Sequence, residues 1–130
     1  MTIWEDNLDS LSGWFVHPSY DDYYALALGS GYAYTYETGG HVSTPAYALH
    51  DLDLSAWSEI SDLQLEVVFK ATSTYYGSSS VTHFRIGIMD IYGNILWNYR
   101  YYERYSRDTG WETKQLTIPK SSVAGHNYLY

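Results

Sequence analysis

The chain has 130 residues, of which 45% are hydrophobic and 18% aromatic, with 16 tyrosines among them. This composition excludes an intrinsically disordered chain, and the length is that of one domain. Seven basic against fifteen acidic residues leave a net charge of −8, which disfavours nucleic acid as a partner, because nucleic-acid binding depends on clustered Lys and Arg.

The first half of the chain predicts short strands separated by glycine-rich turns. Strands are predicted over Tyr23–Leu28 and Tyr32–Tyr36, because Gly29-Ser30-Gly31 between them is typical of a hairpin turn. A further strand is predicted over His41–Leu49. Helical periodicity is weak throughout, and its best stretch, Asp53–Ile60, is predicted to be a short connection rather than a packed helix.

Alternating apolar and polar residues mark the strands that follow. Over Leu63–Phe69 the odd-numbered residues are all apolar and are predicted to share one face of a strand. His83–Met89 shows the same alternation. Its predicted inner residues are Phe84, Ile86 and Ile88, and its predicted outer residues are His83, Arg85 and Gly87.

The last third of the chain begins with a hairpin signal. Gly93-Asn94, within Asp90–Ile95, tolerates the positive φ of a tight turn and predicts a hairpin that leads into a strand over Ile95–Tyr102. Two further strands are predicted over Glu112–Ile118 and Asn127–Tyr130. About seven to nine short strands predict an all-β sandwich or barrel, in a single domain over residues 1–130.

The sequence offers little support for catalysis or for metal binding by histidine or cysteine. The chain has no cysteine, and its five histidines are scattered without the spacing of metal ligands. No two acidic residues stand out as the carboxylates of a glycosidase, which lie about 5–10 Å apart. No apolar run approaches the roughly 18 residues that cross a bilayer. We therefore expect a non-enzymatic protein without membrane insertion.

Short motifs along the chain occur in an order that resembles a known architecture. They are Trp4–Asp9, Gly13-Trp14, Gly31–Ala33, Ser43–Ala46, Leu52–Ser55, Asp62–Leu65, Trp111–Thr113 and Leu116–Ile118. Their order resembles the antiparallel jelly-roll β-sandwiches, built of two packed sheets, of carbohydrate-binding modules and MAM-type adhesion domains. The resemblance implies the same fold here, and a fold of this kind supports many functions.

The resemblance also implies a structural calcium ion near the chain termini. Calcium takes six to eight oxygen ligands, which carboxylates and carbonyls of a loop supply. The positions that match this site are Glu5, Asp6 and Asp9. The alternative is that these carboxylates are solvated side chains of a polar loop.

The resemblance further implies carbohydrate recognition by aromatic rings and polar side chains. The C–H face of a pyranose stacks on an aromatic ring, and its hydroxyls bond to Asp, Asn, Gln and Arg side chains. If Trp97 and Tyr99 lie in the core, the other face of their strand points outward and is predicted to align with polar residues of neighbouring strands. The predicted ligand-binding residues are Tyr102, Arg100, Asn98, Gln64, Glu66 and Arg85, with the loop tyrosines Tyr75, Tyr76 and Tyr105.

Other aromatic residues are expected to serve packing. Tyrosine suits half-buried sheet surfaces, so Tyr32, Tyr34 and Tyr36 are expected to cover one sheet face. Four tryptophans lie beside predicted strand ends and are expected to be core anchors. They are Trp4, Trp14, Trp57 and Trp111.

The expected partner is a glycan or cell-surface polysaccharide, and the expected location is an extracellular or virion surface, although Met1–Asp6 lacks the features of a secretory signal. The strand predicted over Asn127–Tyr130 is short, and its edge carries no Lys or Pro to prevent pairing with a neighbouring copy. The alternative function is therefore a structural subunit of a virion surface or extracellular filament that assembles through strand edges or faces.

Overall fold

A computed structural model describes residues 4–16, 24–37, 48–54, 62–72, 81–104, 108–123 and 125–130. Over these ranges the chain forms strands and one short 3₁₀ turn at Lys120–Ser122. The strands are β1 (Trp14–Val16), β2 (Tyr24–Leu28), β3 (Ala33–Glu37), β4 (Ala48–Asp53), β5 (Leu63–Phe69), β6 (Val81–Asp90), β7 (Ile95–Arg104), β8 (Glu112–Ile118) and β9 (His126–Leu129). The described ranges contain no helix of the length and apolarity that spanning a membrane requires.

The all-β prediction is confirmed, and the strand pairings are antiparallel. The strands predicted over Leu63–Phe69 and Glu112–Ile118 have those bounds in the structure, as β5 and β8. The strand predicted over His41–Leu49 differs, because β4 continues to Asp53 and residues 41–47 lie outside the described ranges. Most of the predicted connection over Asp53–Ile60 also lies outside them.

The chain divides into two compact units. Unit 1 is Met1–Asp51 with Tyr130, and unit 2 is Leu52–Leu129. In unit 1, β1 pairs with β4, and β2 and β3 form the predicted hairpin. Gly31 has a φ of 80° in the turn of this hairpin, a conformation that a glycine adopts without strain.

Unit 2 contains two sheets. β5 and β8 pair along their whole length, and the other sheet has the hydrogen-bonded order β9-β6-β7. The end of β4 lies beside β9, where the Leu54 amide donates to the Gly125 carbonyl at 2.8 Å. In β9, the fully buried Asn127 donates from Nδ2 to the same carbonyl at 3.0 Å.

Aromatic packing joins the two sheets of unit 2. The Phe69 ring of β5 stacks on the Phe84 ring of β6, with centroids 4.0 Å apart and an interplanar angle of 8°. The Tyr101 ring of β7 is inclined at 65° to the Phe69 ring, with centroids 5.3 Å apart. The Tyr101 hydroxyl donates to Glu112 of β8 at 3.4 Å. Unit 2 is therefore sandwich-like, with an apolar layer between its sheets.

The predicted inner and outer faces are confirmed in β5 and corrected in β6. The odd-numbered residues of β5 are buried or half-buried, and the even-numbered ones are exposed. In β6, Ile86 and Ile88 are buried as predicted, but Gly87 is buried rather than exposed, and so is Met89. Gly87 is buried because β6 pairs on both edges, with β7 and β9, and a glycine has no side chain to extend above its neighbours. At Met89 the alternation is interrupted, because the register with β7 shifts between Ile88 and Met89.

The Asp90 carboxylate organises the turn between β6 and β7. Its Oδ1 accepts the amides of Tyr92 and Asn94 at 2.9 Å each, and its Oδ2 accepts Asn94 Nδ2 at 2.9 Å. The Asp90 carbonyl accepts the Gly93 amide at 3.1 Å, and Gly93 has a φ of 84°. The predicted hairpin is thus present, but its corner residues are Ile91 and Tyr92 rather than Gly93-Asn94. Tyr92 at this tip is 84% exposed.

The hydrogen bonds at Asp90 predict a pH-dependent stability. The Asn94 side chain first, and then the backbone amides, lower the pKa of Asp90 below its ordinary value of 3.8. A carboxyl with a lowered folded-state pKa stabilises the fold above its ordinary pKa, and this stabilisation is lost as the pH falls through the lowered value. Asp90→Asn is therefore expected to lower the Tm at neutral pH, with a difference that shrinks as the pH falls below the ordinary pKa of the carboxyl. Thermal unfolding followed by circular dichroism measures this, and a Tm difference independent of pH would contradict it.

The stack between the sheets predicts a contrast between two neighbouring residues of β5. Phe69→Ala removes a buried ring and is expected to lower the free energy of unfolding by about 3–5 kcal/mol. Val68→Ala, on the exposed face of the same strand, is expected to change it by less than about 0.5 kcal/mol. Urea unfolding of both variants measures the difference. Similar losses in the two variants would contradict the assignment of faces.

Candidate functional site

The outer face of β6 and β7 carries part of the predicted ligand-binding set. Asn98 and Arg100 are exposed, whereas Trp97 and Tyr99 are half-buried on the other face, as predicted. Arg85 lies directly opposite Arg100 in the strand register. Two like charges therefore lie side by side on this face.

The predicted tyrosines of the set are only partly within the described structure. The backbone of Tyr102 lies opposite that of His83 in the register of β6 and β7. The side chain of Tyr102 lies outside the described part of the chain, as do Tyr75, Tyr76 and Tyr105 entirely. Their predicted roles in binding stay predictions.

Gln64 and Glu66 lie on a different surface from Arg85 and Arg100. They belong to β5, which pairs with β8, and they accept hydrogen bonds from Thr117 Oγ1 at 3.2 Å and Gln115 Nε2 at 3.1 Å respectively. The opposite face of β5 packs on β6 through its phenylalanine stack. The prediction that all these residues align on one surface is therefore wrong, because the two polar faces point away from each other.

Asp6, one of the predicted calcium ligands, is bonded by neutral donors. Its Oδ2 accepts the Trp14 indole N–H at 2.8 Å, and its Oδ1 accepts the Leu8 amide at 2.7 Å. Leu8 has a φ of 57°, in the left-handed region that non-glycine residues rarely adopt. The Trp14 ring in turn makes T-shaped contacts with His50 and Trp4, with ring centroids 5.0 Å and 6.5 Å away. Asp6 thus holds a strained turn against an aromatic cluster.

The other two predicted calcium ligands do not complete a metal site in the described part of the chain. Glu5 is exposed, and Asp9 accepts Asn7 Nδ2 at 3.2 Å. Glu5, Asp6 and Asn7 line an open depression of about 420 Å³. Among the described residues, no three Asp, Glu, His or Cys side chains come together in a way that would hold a metal ion.

The contacts of Asp6 predict a loss of stability that does not depend on calcium. Asp6→Ala leaves the Trp14 indole N–H and the Leu8 amide without their acceptor, and each such loss costs about 1–3 kcal/mol where the donor is shielded from water. Asp9→Ala, at an exposed position, is the control and is expected to change stability by less than about 0.5 kcal/mol. Urea unfolding with calcium and with a chelator measures both. A loss at Asp6 confined to the calcium samples would instead establish the ion site.

Among the described residues of unit 1, a row of three exposed tyrosines lies at β3, and we call it the tyrosine ladder: Tyr32, Tyr34 and Tyr36. Their residues are 38%, 44% and 45% exposed. The ring centroids of Tyr32 and Tyr34 are 6.0 Å apart, and those of Tyr34 and Tyr36 are 5.8 Å apart. Neighbouring rings are tilted by 47° and 45°. The ladder is therefore a twisted row of rings rather than a flat platform.

Small residues beside the ladder explain why its rings stay exposed. Ala27 lies opposite Tyr34 and Ala25 opposite Tyr36 in the register of β2 and β3, so β2 has no large side chain there to cover the rings. At the turn, Tyr32 packs over Gly29. A Cβ added to Gly29 would lie 2.3 Å from Tyr32 Cζ, so the glycine makes room for this ring.

These exposures correct one expectation about aromatic residues. The three tyrosines lie along one face of the hairpin, as expected, and their outer sides are open to solvent. Trp111 was expected to be a core anchor but is 54% exposed, because it continues the exposed, odd-numbered face of β8. The signal for the ladder is present in the sequence as alternate tyrosines of one strand that face alternate alanines of the next.

No protein-family model, no curated protein and no solved structure matches the chain. The function proposed below therefore depends on the chain's own residues.

Proposed function

We propose that the chain is a non-enzymatic module with a jelly-roll β-sandwich fold that binds carbohydrate, and that the tyrosine ladder is its stacking surface. The observation that carries this proposal is the exposure of three successive rings on one strand face. A surface of this kind suits ligands with repeated apolar faces, and a polysaccharide presents one such face in every sugar ring.

The geometry of the ladder supports the stacking of several sugar units. Adjacent rings lie 5.8–6.0 Å apart, a spacing similar to that of successive sugars in an extended chain. Tyrosine is favourable in such a surface because it offers a large ring with few rotatable bonds, so little conformational entropy is lost on binding. The tilt between rings favours one twisted chain in solution over the flat surface of a crystalline polymer.

The charges of the hairpin favour a neutral polysaccharide. Glu37 is the only charged residue in the described segment 24–37, and it follows the last tyrosine of the ladder. Binding would depend on ring stacking and on hydrogen bonds from the phenol hydroxyls. Because no ion pair is involved, the affinity should vary little with salt.

Loss of the central ring tests the proposal. Tyr34→Ala is expected to weaken the binding of a soluble neutral polysaccharide about tenfold or more, with little change in Tm, because the ring is exposed. Gly29→Ala is expected to weaken binding as well, since its Cβ displaces the Tyr32 ring without removing it. Thr35→Ala, on the opposite face of β3, is the control. Isothermal titration with soluble β-glucan, xylan and mannan measures the affinities.

Two outcomes would contradict the proposal. The first is that the unmodified protein binds none of these polymers, and the second is that Tyr34→Ala binds one of them as well as the control does. Light scattering of the same proteins tests the alternative of a structural subunit. A mass that rises with concentration, and that falls again in Tyr34→Ala, would make the ladder an assembly contact instead.

A further inference from the structure

The outer face of β5 and β8 is a continuous polar surface with an aromatic end. Its residues alternate with the buried ones, and all are exposed. The paired positions are Gln64 with Thr117, Glu66 with Gln115, and Val68 with Thr113. The same alternation continues to Lys70 on one side and Trp111 on the other, so that a tryptophan and an ammonium group lie at one end of a row of amides, hydroxyls and a carboxylate.

Trp111 and Lys70 are in contact at this end. The Lys70 ammonium lies 5.7 Å from the centroid of the Trp111 ring, within range of a cation–π interaction. It also lies 3.6 Å from Asp108 Oδ2. The Lys70 and Asp108 side chains are 35% and 52% exposed, and water screens an ion pair at such exposure, so the pair contributes little to the fold.

The backbone around this end is fixed by hydrogen bonds. The Thr109 amide donates to the Ala71 carbonyl at 3.0 Å, and the Ala71 amide donates to Thr109 Oγ1 at 3.0 Å. Asp108 Oδ1 accepts the Gly110 amide at 2.7 Å, which leaves Oδ2 directed to Lys70. The segment that carries the carboxylate is thus held beside the segment that carries the ammonium group.

We propose that this end of the face is a binding site for a sugar that carries a carboxylate, such as a uronic acid. The sugar ring stacks on Trp111, and its carboxylate takes the position of Asp108 at Lys70. Further sugars of the same chain lie over Thr113 and then over the paired amide and carboxylate of Gln115 and Glu66. The ammonium group of Lys70 beside the exposed Trp111 ring favours a sugar with a carboxylate over a neutral one at this position.

In this site Asp108 acts as an internal competitor of the ligand. Its carboxylate forms an ion pair with the Lys70 ammonium group, which is the group that the carboxylate of the sugar would bind. Removal of the charge of Asp108 should therefore strengthen binding, whereas removal of the charge of Lys70 should weaken it. A site in which the ion pair only holds the loop in place would lose affinity in both variants. The site lies in unit 2 and does not depend on the tyrosine ladder of unit 1.

A matched pair of probes tests the proposal: oligogalacturonate, and the same oligomer as its methyl ester, which is neutral. The unmodified protein is expected to bind the acid about tenfold more tightly than the ester. Lys70→Gln is expected to abolish this preference, and Trp111→Ala to weaken the binding of the acid. Asp108→Asn is expected to bind the acid more tightly, because the amide oxygen still accepts the Gly110 amide while the charge is gone. Isothermal titration measures each affinity.

Two control variants separate this site from general charge and from the ladder. Arg100→Gln removes one positive charge from the opposite outer face of unit 2 and is expected to leave the preference for the acid unchanged. Tyr34→Ala removes the binding of a neutral chain at the ladder, so the preference for the acid is expected to persist or increase in this variant. The proposal is overturned if the unmodified protein does not prefer the acid, if Asp108→Asn weakens its binding, or if Arg100→Gln reduces the preference as much as Lys70→Gln does.

Discussion

The contact between Phe69 and Phe84 determines which surfaces of unit 2 face water. The two rings lie parallel at 4.0 Å, one from each sheet. Side chains of a strand point alternately to its two faces. Once one ring points inward, the residues next to it in sequence therefore point outward. Gln64 and Glu66 point outward because Phe69 points inward, and Arg85 points outward because Phe84 does not. The two polar faces of the unit are therefore consequences of a single aromatic stack.

The two surfaces proposed to bind sugars differ in charge and in how their aromatic rings are held. In the ladder, three tyrosine rings lie in a row, and alanines of β2 lie opposite two of them. No basic residue lies in the described part of that hairpin. On β8, a single tryptophan lies next to an ammonium group and an exposed carboxylate. Ring stacking is common to both, whereas only the second surface has the electrostatics to distinguish an acidic sugar from a neutral one.

Local patterns in the sequence predict individual strands well and their neighbours poorly. Leu63–Phe69 and Glu112–Ile118 alternate so regularly that their bounds and their inner faces follow from residue type. That these two segments pair with each other is a long-range property, and alternation carries no information about it. Gln64 and Glu66 were therefore placed on the wrong surface. The exposures of Trp111 and of the ladder also depend on neighbouring elements, because a ring is buried only when another element covers it. In the ladder, Ala25 and Ala27 are too small to cover the rings.

The turn at Asp90 has a further consequence for the tip that it carries. Three donors from Tyr92 and Asn94 already immobilise this loop, so its backbone has little freedom left to lose. Ile91 and Tyr92 nevertheless remain in water, at 53% and 84% exposure. In most loops the entropy of ordering opposes the burial of apolar side chains by a neighbouring surface. At this tip the backbone is already ordered, so the entropy cost of ordering is small. Most of the free energy gained by burying Ile91 and Tyr92 under another surface would therefore be retained.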